Sequence, residues 1–176
     1  MNEVWQDKIP PQDIEAEQAV LGAIFLDSDT LIDAMEIVTP RSFYRRSHHI
    51  TFQSMIQLSN RGEAIDLVTL KAEIEKSNAL EDIGGISYLS ELSQSTPSSA
   101  SVSYYAKIVD DKSLLRQLIQ TANQIVVKSF EQGEEVQAIV DEAERSILEV
   151  SEKRNSTGFQ SIADVLNQSI ETIDRL

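Results

Sequence analysis

The sequence of 176 residues contains no cysteine, so it forms no disulfide bond and no thiolate metal site. It has no apolar run of about 18 residues, which a membrane-spanning helix requires, and no charged-then-apolar leader typical of secretion. The only two histidines, His48 and His49, are adjacent and point to different faces of a helix, so they predict no metal site. We therefore expect a cytoplasmic protein with no membrane partner and no resident metal.

Positive charge is also scarce, because 15 Lys and Arg residues stand against 29 Asp and Glu residues and leave a net charge of −14. Such a surface does not favour general binding to nucleic-acid phosphates. One basic cluster is the exception: Arg41, Arg45 and Arg46 are interleaved with Phe43 and Tyr44. These residues could neutralise and stack on single-stranded DNA. Alternatively, the arginines pair with carboxylates while the aromatic rings fill the core.

None of the six glycines opens the GxxxxGKS/T pattern of a phosphate-binding loop, so no ATP site of that type is predicted. No GxSxG turn marks a serine nucleophile. The sequence therefore indicates no catalytic residue, no cofactor-binding residue and no cofactor. A small helical hydrolase stays open as an alternative, and it would require a pocket with perturbed carboxylates or histidines.

All four prolines (Pro10, Pro11, Pro40 and Pro97) lie in the first 97 residues. Proline interrupts helices, so we predict short, frequently capped helices first and long helices afterwards. The fold class is predicted to be all-α: a globular helical bundle, then an antiparallel helical hairpin and a separate linker helix. The predicted divisions are a globular subdomain over residues 1–98, the hairpin over 99–152, a flexible linker over 153–160 and the linker helix over 161–176.

The first helix has the clearest start signal, because Pro10 and Pro11 precede it and Asp13 can cap it. It is apolar on nearly every side, which predicts burial inside a bundle. Leu31 to Val38 predicts one further helix, and residues 65–70 favour helix over strand. Further boundaries are predicted at Thr39-Pro40, Ser47 and Asp66 as helix starts and at Gly62 as a helix end.

The second part predicts a helix of some thirty residues up to a stop at Gly133, with two apolar stripes that one antiparallel partner cannot cover. After the turn, Val136, Val140, Ala143, Ile147 and Val150 step by four and three residues like a heptad seam. The last apolar stripe reaches the end of the sequence without a local partner. This ending predicts a longer parent protein, although a terminal helix that folds back on the bundle is the alternative.

Seven segments follow one another in a recognisable order: Pro10 to Asp27, Phe43-Tyr44 with His48, Ile65 to Leu70, Gly84 to Leu89, Thr96-Pro97-Ser98, Tyr105 to Val109 and Glu144 to Glu152. Together they resemble bacterial replicative DNA helicases of the DnaB type. The resemblance covers nearly the whole chain. It implies an all-helical N-terminal collar, whose hairpins pair into dimers and whose three dimers cap a hexameric ring.

The same resemblance places an ATP- and Mg-dependent 5′–3′ motor, which encloses single-stranded DNA, beyond Leu176 in the parent protein. This chain alone is therefore expected to lack helicase and ATPase activity. The implied partners are further copies of the chain, primase and, in some lineages, a helicase loader. The implied location is the cytoplasm, at the nucleoid and the replication fork. A stand-alone helical replication adaptor or loader is the alternative function.

The resemblance also suggests residues for each contact. Primase binding is expected at Tyr88, Ile119 and Ile125, which could instead be intramolecular core residues. Subunit pairing is expected at Leu114, Leu118, Val136, Val140 and Ile147. Docking on a neighbouring subunit is expected at Ile162, Val165, Leu166 and Ile173.

Overall fold

The structure, a computed structural model, describes residues 8–96, 98–131, 133 and 135–156. These residues contain helices and no strand, so the predicted all-α class is confirmed. None of the helices within these ranges is long and apolar enough to cross a membrane. The elements are α1 (Ile14–Leu26), α2 (Thr30–Met35), a short 3-10 turn (Pro40–Ser42), α3 (Arg46–Asn60), α4 (Leu67–Lys76), α5 (Gly85–Ser93), α6 (Val102–Glu131) and α7 (Val136–Ser156).

The chain divides into two compact units, residues 1–116 and 117–176. In the first unit, α1 contacts α2, α3 and α5, and α3 also packs on α4. Fully buried side chains from these helices form one core, to which the first half of α6 adds Val102, Ala106 and Val109. Apolar burial of this kind is the main favourable term in folding. The predicted division at residue 98 stays a prediction.

Helix α1 lies inside this core, as predicted, with Val20, Leu21 and Ile24 fully buried. The Asp13 carboxylate accepts a hydrogen bond from the Ala16 amide at 2.9 Å and so caps the first turn. The predicted burial of this helix is wrong at its last residue, because Leu26 is exposed.

The other predicted boundaries have mixed outcomes. Asp66 caps α4 by accepting from the amides of Val68 and Thr69, which confirms the helix over the strand, and Gly62 has the predicted positive φ of 69°. Thr39 opens the 3-10 turn with a capping box. Ser47 is wrong as a cap, since α3 begins at Arg46.

The predicted helix from Leu31 to Val38 is also partly wrong. Helix α2 ends at Met35, and both Ile32 and Met35 are exposed. Val38 reaches the core from the following turn instead of from the helix. The apolar spacing alone therefore did not predict which of these residues are buried, because the chain leaves the helix after Met35.

The second unit contains the end of α6 and the whole of α7, joined by the predicted turn around Gly133. A salt bridge between Lys128 of α6 and Glu142 of α7 links the two helices of the hairpin. Helix α7 continues to Ser156, so residues 153–156 at the start of the predicted linker are helical. Residues 157–176, with the rest of the linker and the linker helix, lie outside the described residues.

The heptad-like seam predicted on α7 is correct at Ala143, which is half-buried, and at Val150, which is buried. Val136, Val140 and Ile147 are exposed instead. The more buried face of α7 runs through residues 139, 143, 146 and 150, which is the same spacing of four and three shifted around the helix. Three branched apolar side chains are thus left on the surface of the hairpin.

Helices α1 and α5 approach each other closely at Gly22. A Cβ atom there would lie 2.5 Å from Ser95 Oγ, 2.7 Å from Thr96 Oγ1 and 3.1 Å from the Leu92 carbonyl oxygen. The Thr96 hydroxyl donates to the carbonyl oxygen of Ala19 at 3.2 Å, and the Ser95 hydroxyl lies 2.7 Å from the carbonyl oxygen of Leu92 and 3.1 Å from that of Gln18, between which its one proton is shared. The two hydroxyls could move away from an added methyl group only by weakening these bonds.

We expect Gly22→Ala to lower the free energy of unfolding by about 1–3 kcal/mol, because the methyl group overpacks this contact. Urea unfolding followed by far-UV circular dichroism measures the change. Gly133→Ala is the matched control, because a Cβ there meets no atom within 4 Å. Equal or greater stability of Gly22→Ala would contradict the close packing, since alanine is intrinsically the better helix former.

Candidate interaction surfaces

A buried carboxylate joins α1 to the start of α3. Glu17 is only 1% exposed, and its Oε1 accepts the backbone amide of Tyr44 at 2.6 Å. Its Oε2 accepts the amide of Arg45 at 3.3 Å and Nδ1–H of the fully buried His48 at 2.6 Å. A buried carboxylate needs such donors to offset its desolvation. Glu17 therefore holds, from another helix, the backbone amides that lead into α3 and fixes the backbone of the basic cluster.

The sequence analysis missed Glu17, although a signal for it existed. Glu17 lies three, four and seven residues before Val20, Leu21 and Ile24, so it shares their apolar face of α1. A charged residue on a buried face must be paired within the core. Its partners are 27 to 31 residues away in sequence, and periodicity cannot identify them.

Arg116 of α6 makes a second long-range connection. Its Nη1 donates to the carbonyl oxygen of Pro11 at 2.6 Å, and its Nη2 donates to that of Ser42 at 2.5 Å. The guanidinium carbon lies 5.6 Å from the ring centroid of Tyr44. Burial lowers the pKa of Arg116, and the nearby Glu17 carboxylate acts in the opposite direction. Arg116 thus connects α6 to the backbone at Pro11 and at Ser42.

The basic cluster of the sequence lies at the surface. Arg41, Arg45 and Arg46 are exposed, and none of them forms a salt bridge with another described residue. The expectation that they pair with carboxylates is therefore wrong within the part of the chain that the structure describes. Phe43 does fill the core, with its ring 4.9 Å from that of Phe52.

A pocket of about 440 Å³ opens beside this cluster. It is lined by Phe43, Tyr44, Arg46, His49, Ile50 and Gln53. No group of three or more metal-ligating side chains occurs among the described residues. The pocket combines an aromatic ring, a guanidinium and an amide, which are binding groups, with no nucleophile activated by a nearby base.

Tyr88, one of the predicted primase contacts, is partly buried. Its ring stacks on that of His48 with centroids 6.0 Å apart, and its hydroxyl lies 3.4 Å from Thr51 Oγ1. Burial raises the pKa of Tyr88 to about 12, against a smaller opposite effect of the Thr51 hydrogen bond. Ile119 on α6 is exposed and Ile125 is half-buried. Primase binding by these three residues stays a prediction.

The residues predicted to pair subunits are mostly accessible. Leu114 is half-buried, whereas Leu118, Val136, Val140 and Ile147 are all exposed. Their neighbours Val126, Val127 and Phe130 on α6 and Leu148 on α7 are exposed as well. We call the following exposed residues the hairpin surface: Leu118, Val126, Val127 and Phe130 of α6, and Val136, Val140, Ile147 and Leu148 of α7. The predicted docking residues Ile162, Val165, Leu166 and Ile173 lie outside the described residues.

Comparison with known proteins identifies similar chains along the whole length. Residues 9–111 match the family described as the DnaB-like helicase N-terminal domain. All 176 residues are 48% identical to part of the replicative DNA helicase DnaB of Geobacillus stearothermophilus. The chain spans only 39% of the length of that helicase.

Solved structures share the fold. The crystal structure of the N-terminal domain of DnaB helicase from Mycobacterium tuberculosis matches with a TM-score of 0.77 and 38% identity, over 80% of this chain and 99% of that one. A DnaB-like replicative helicase, solved to describe its interactions with primase, matches with a TM-score of 0.65 and 23% identity. That match covers 90% of this chain and 35% of the helicase, and at this identity it shows the fold alone.

We expect Glu17→Gln to destabilise the chain by about 2–4 kcal/mol, because an amide cannot accept all the donors that meet the carboxylate and leaves one buried and unpaired. Chemical denaturation at neutral pH measures the loss. The control is Glu15→Gln, on the exposed side of the same helical turn, with an expected cost below about 1 kcal/mol. Equal losses for the two variants would show that Glu17 has no special structural role.

Proposed function

The chain belongs to the DnaB-like helicase N-terminal domain family, and we propose that it forms the collar of a hexameric replicative DNA helicase. The observation that supports this most strongly is 48% identity over all 176 residues to a replicative helicase. In this proposal the chain assembles subunits. A motor elsewhere in the longer parent protein uses ATP and Mg²⁺ to move 5′–3′ along single-stranded DNA, in the cytoplasm at the replication fork.

The hairpin surface supports the assembly role. Monomeric proteins rarely expose a large contiguous apolar patch, and such patches are typical of interaction sites. A second copy of the same hairpin would cover the patch in an isologous pair, in which each copy offers the same residues to the other. Leu114, Leu118, Val136, Val140 and Ile147 are the proposed contacts. Three such pairs would complete a hexameric collar.

The alternative of a stand-alone replication adaptor or loader receives less support. The similarity to replicative helicases extends over the whole chain, including the hairpin. A loader is instead proposed as a further partner of the collar. We also propose that Ile162, Val165, Leu166 and Ile173 dock on a neighbouring subunit.

Primase is the proposed external partner. Ile119 is exposed on α6 and Ile125 is half-buried, so an apolar side chain of the hairpin is available beside the proposed pairing residues. Tyr88 presents only part of its ring. The related helicase whose interactions with primase have been described has the same fold over 90% of this chain. Docking at these residues would place primase on the collar.

To test pairing, we expect sedimentation velocity of the 176-residue chain to show self-association that grows with concentration. Leu118→Glu should weaken the dimer at least about tenfold, because it places a charge in the desolvated centre of the interface. Val68→Glu is the control, since Val68 is exposed on α4, outside the hairpin. A wild-type chain that stays strictly monomeric at the highest soluble concentration would contradict the pairing proposal.

To test docking, isothermal titration calorimetry with the helicase-interacting C-terminal domain of primase should detect binding to the chain. Ile119→Glu should weaken that binding about tenfold or more if Ile119 is an apolar anchor. Val68→Glu again serves as the control, and sedimentation checks that Ile119→Glu still pairs. Unchanged primase affinity of a correctly paired Ile119→Glu would place the primase site elsewhere.

A further inference from the structure

Exposed arginines surround the entry to α3: Arg41 lies in the 3-10 turn, Arg45 directly precedes α3 and Arg46 begins it. The chain has 29 acidic residues, yet Arg41, Arg45 and Arg46 form no salt bridge with another described residue. All three lie within six residues of sequence and are exposed. Three exposed cations within six residues of sequence give this segment a positive charge that an anion would neutralise. The cluster therefore indicates an anionic ligand from outside the chain.

The pocket next to Arg46 contains an aromatic side chain, Tyr44, on which a planar ring can stack. Tyr44 is 39% exposed, and the Arg116 guanidinium covers its ring at 5.6 Å from the centroid. A ring that is covered on one side can still accept a planar group on the other. Phe43 and Ile50 add apolar wall, and Gln53 adds an amide that can donate and accept. These side chains line an open groove with a volume of about 440 Å³.

We propose that this arginine pocket binds single-stranded DNA, with a base stacked on Tyr44 and the flanking phosphates paired with Arg41, Arg45 and Arg46. Aromatic stacking combined with arginines along the backbone is the chemistry by which proteins hold single strands without reading their sequence. Duplex DNA hides its base faces, so it could use only the arginines. An acidic peptide would also leave the exposed ring of Tyr44 unused.

The site is fixed before any ligand arrives. The Glu17 carboxylate holds the amides of Tyr44 and Arg45, and Arg116 holds the carbonyl oxygen of Ser42. His49 Nδ1 lies 2.8 Å from the carbonyl oxygen of Pro40, so this pocket residue is also anchored to the backbone of the segment. A pre-organised site loses less conformational entropy on binding. The DNA strand would therefore meet an already formed pocket.

The inference rests on the proposed function in one respect, because a helicase collar is a place where a single strand is expected. Binding is nevertheless a property of the pocket and does not require pairing of hairpins. Fluorescence anisotropy of a labelled oligothymidine with the 176-residue chain measures it directly. With three arginines engaged, raising the salt from about 50 to about 200 mM should weaken binding about 20-fold.

Arg46→Ala should weaken binding of the oligothymidine and reduce its salt dependence by about one third. The control is Arg145→Ala, which removes an exposed arginine of α7 and should leave the affinity within about twofold. Tyr44→Ala should weaken binding at least about fivefold, because one stacked base is lost. Its control, Tyr104→Ala, removes an exposed tyrosine of α6 and should have no such effect. Circular dichroism melting confirms that each variant is folded.

Four results would overturn the proposal. They are the absence of saturable binding by the wild-type chain, equal affinity for duplex and single-stranded DNA, binding that Arg46→Ala does not weaken, and binding that Arg46→Glu, a second variant at the same exposed position, does not weaken. If polyglutamate binds in an Arg46-dependent manner while oligothymidine does not, the surface is a docking site for a protein. Sedimentation of the same samples reports on pairing, so failure of the DNA site and failure of the collar proposal are distinguishable.

Discussion

The structure of the first unit depends on one buried carboxylate. Glu17 extends from the apolar face of α1 and receives two backbone amides and an imidazole from the start of α3. Placing an ionised group in a core is unfavourable unless its oxygens are hydrogen-bonded, so these bonds restrict the relative position of the two helices. The same segment includes pocket residues Phe43 and Tyr44 and leads to His48, whose ring stacks on Tyr88.

The second unit differs from the first in that many of its apolar side chains are exposed. The hairpin of α6 and α7 leaves branched side chains exposed that its own two helices do not cover, whereas the first unit buries Val20, Leu21 and Ile24 completely. This contrast agrees with the proposed role within the family: the first unit has a closed apolar core, and the second unit is proposed to provide the surface for assembly. The Lys128–Glu142 salt bridge joins the helices without adding apolar cover.

Local chemistry was predictable from the sequence. Asp13 and Asp66 cap their helices because the signal and its target lie within three residues of each other. Predictions failed where a distant group decided the outcome. Ser47 lies inside α3, and the amides just before that helix are held by the distant Glu17. The face of α7 that is buried depends on the hairpin partner, not on spacing along α7 alone. For the arginine cluster and the hairpin, the sequence shows which residue types are present. It does not show which of their side chains are exposed.

The central claim is that the chain is an assembly domain whose copies associate in pairs through their hairpins. Native mass spectrometry of the unmodified chain over a range of concentrations tests it most directly. The account predicts a monomer–dimer equilibrium, with any larger species built from whole dimers. Monomers alone at every concentration, or a ladder in which trimers form without dimers, would contradict it.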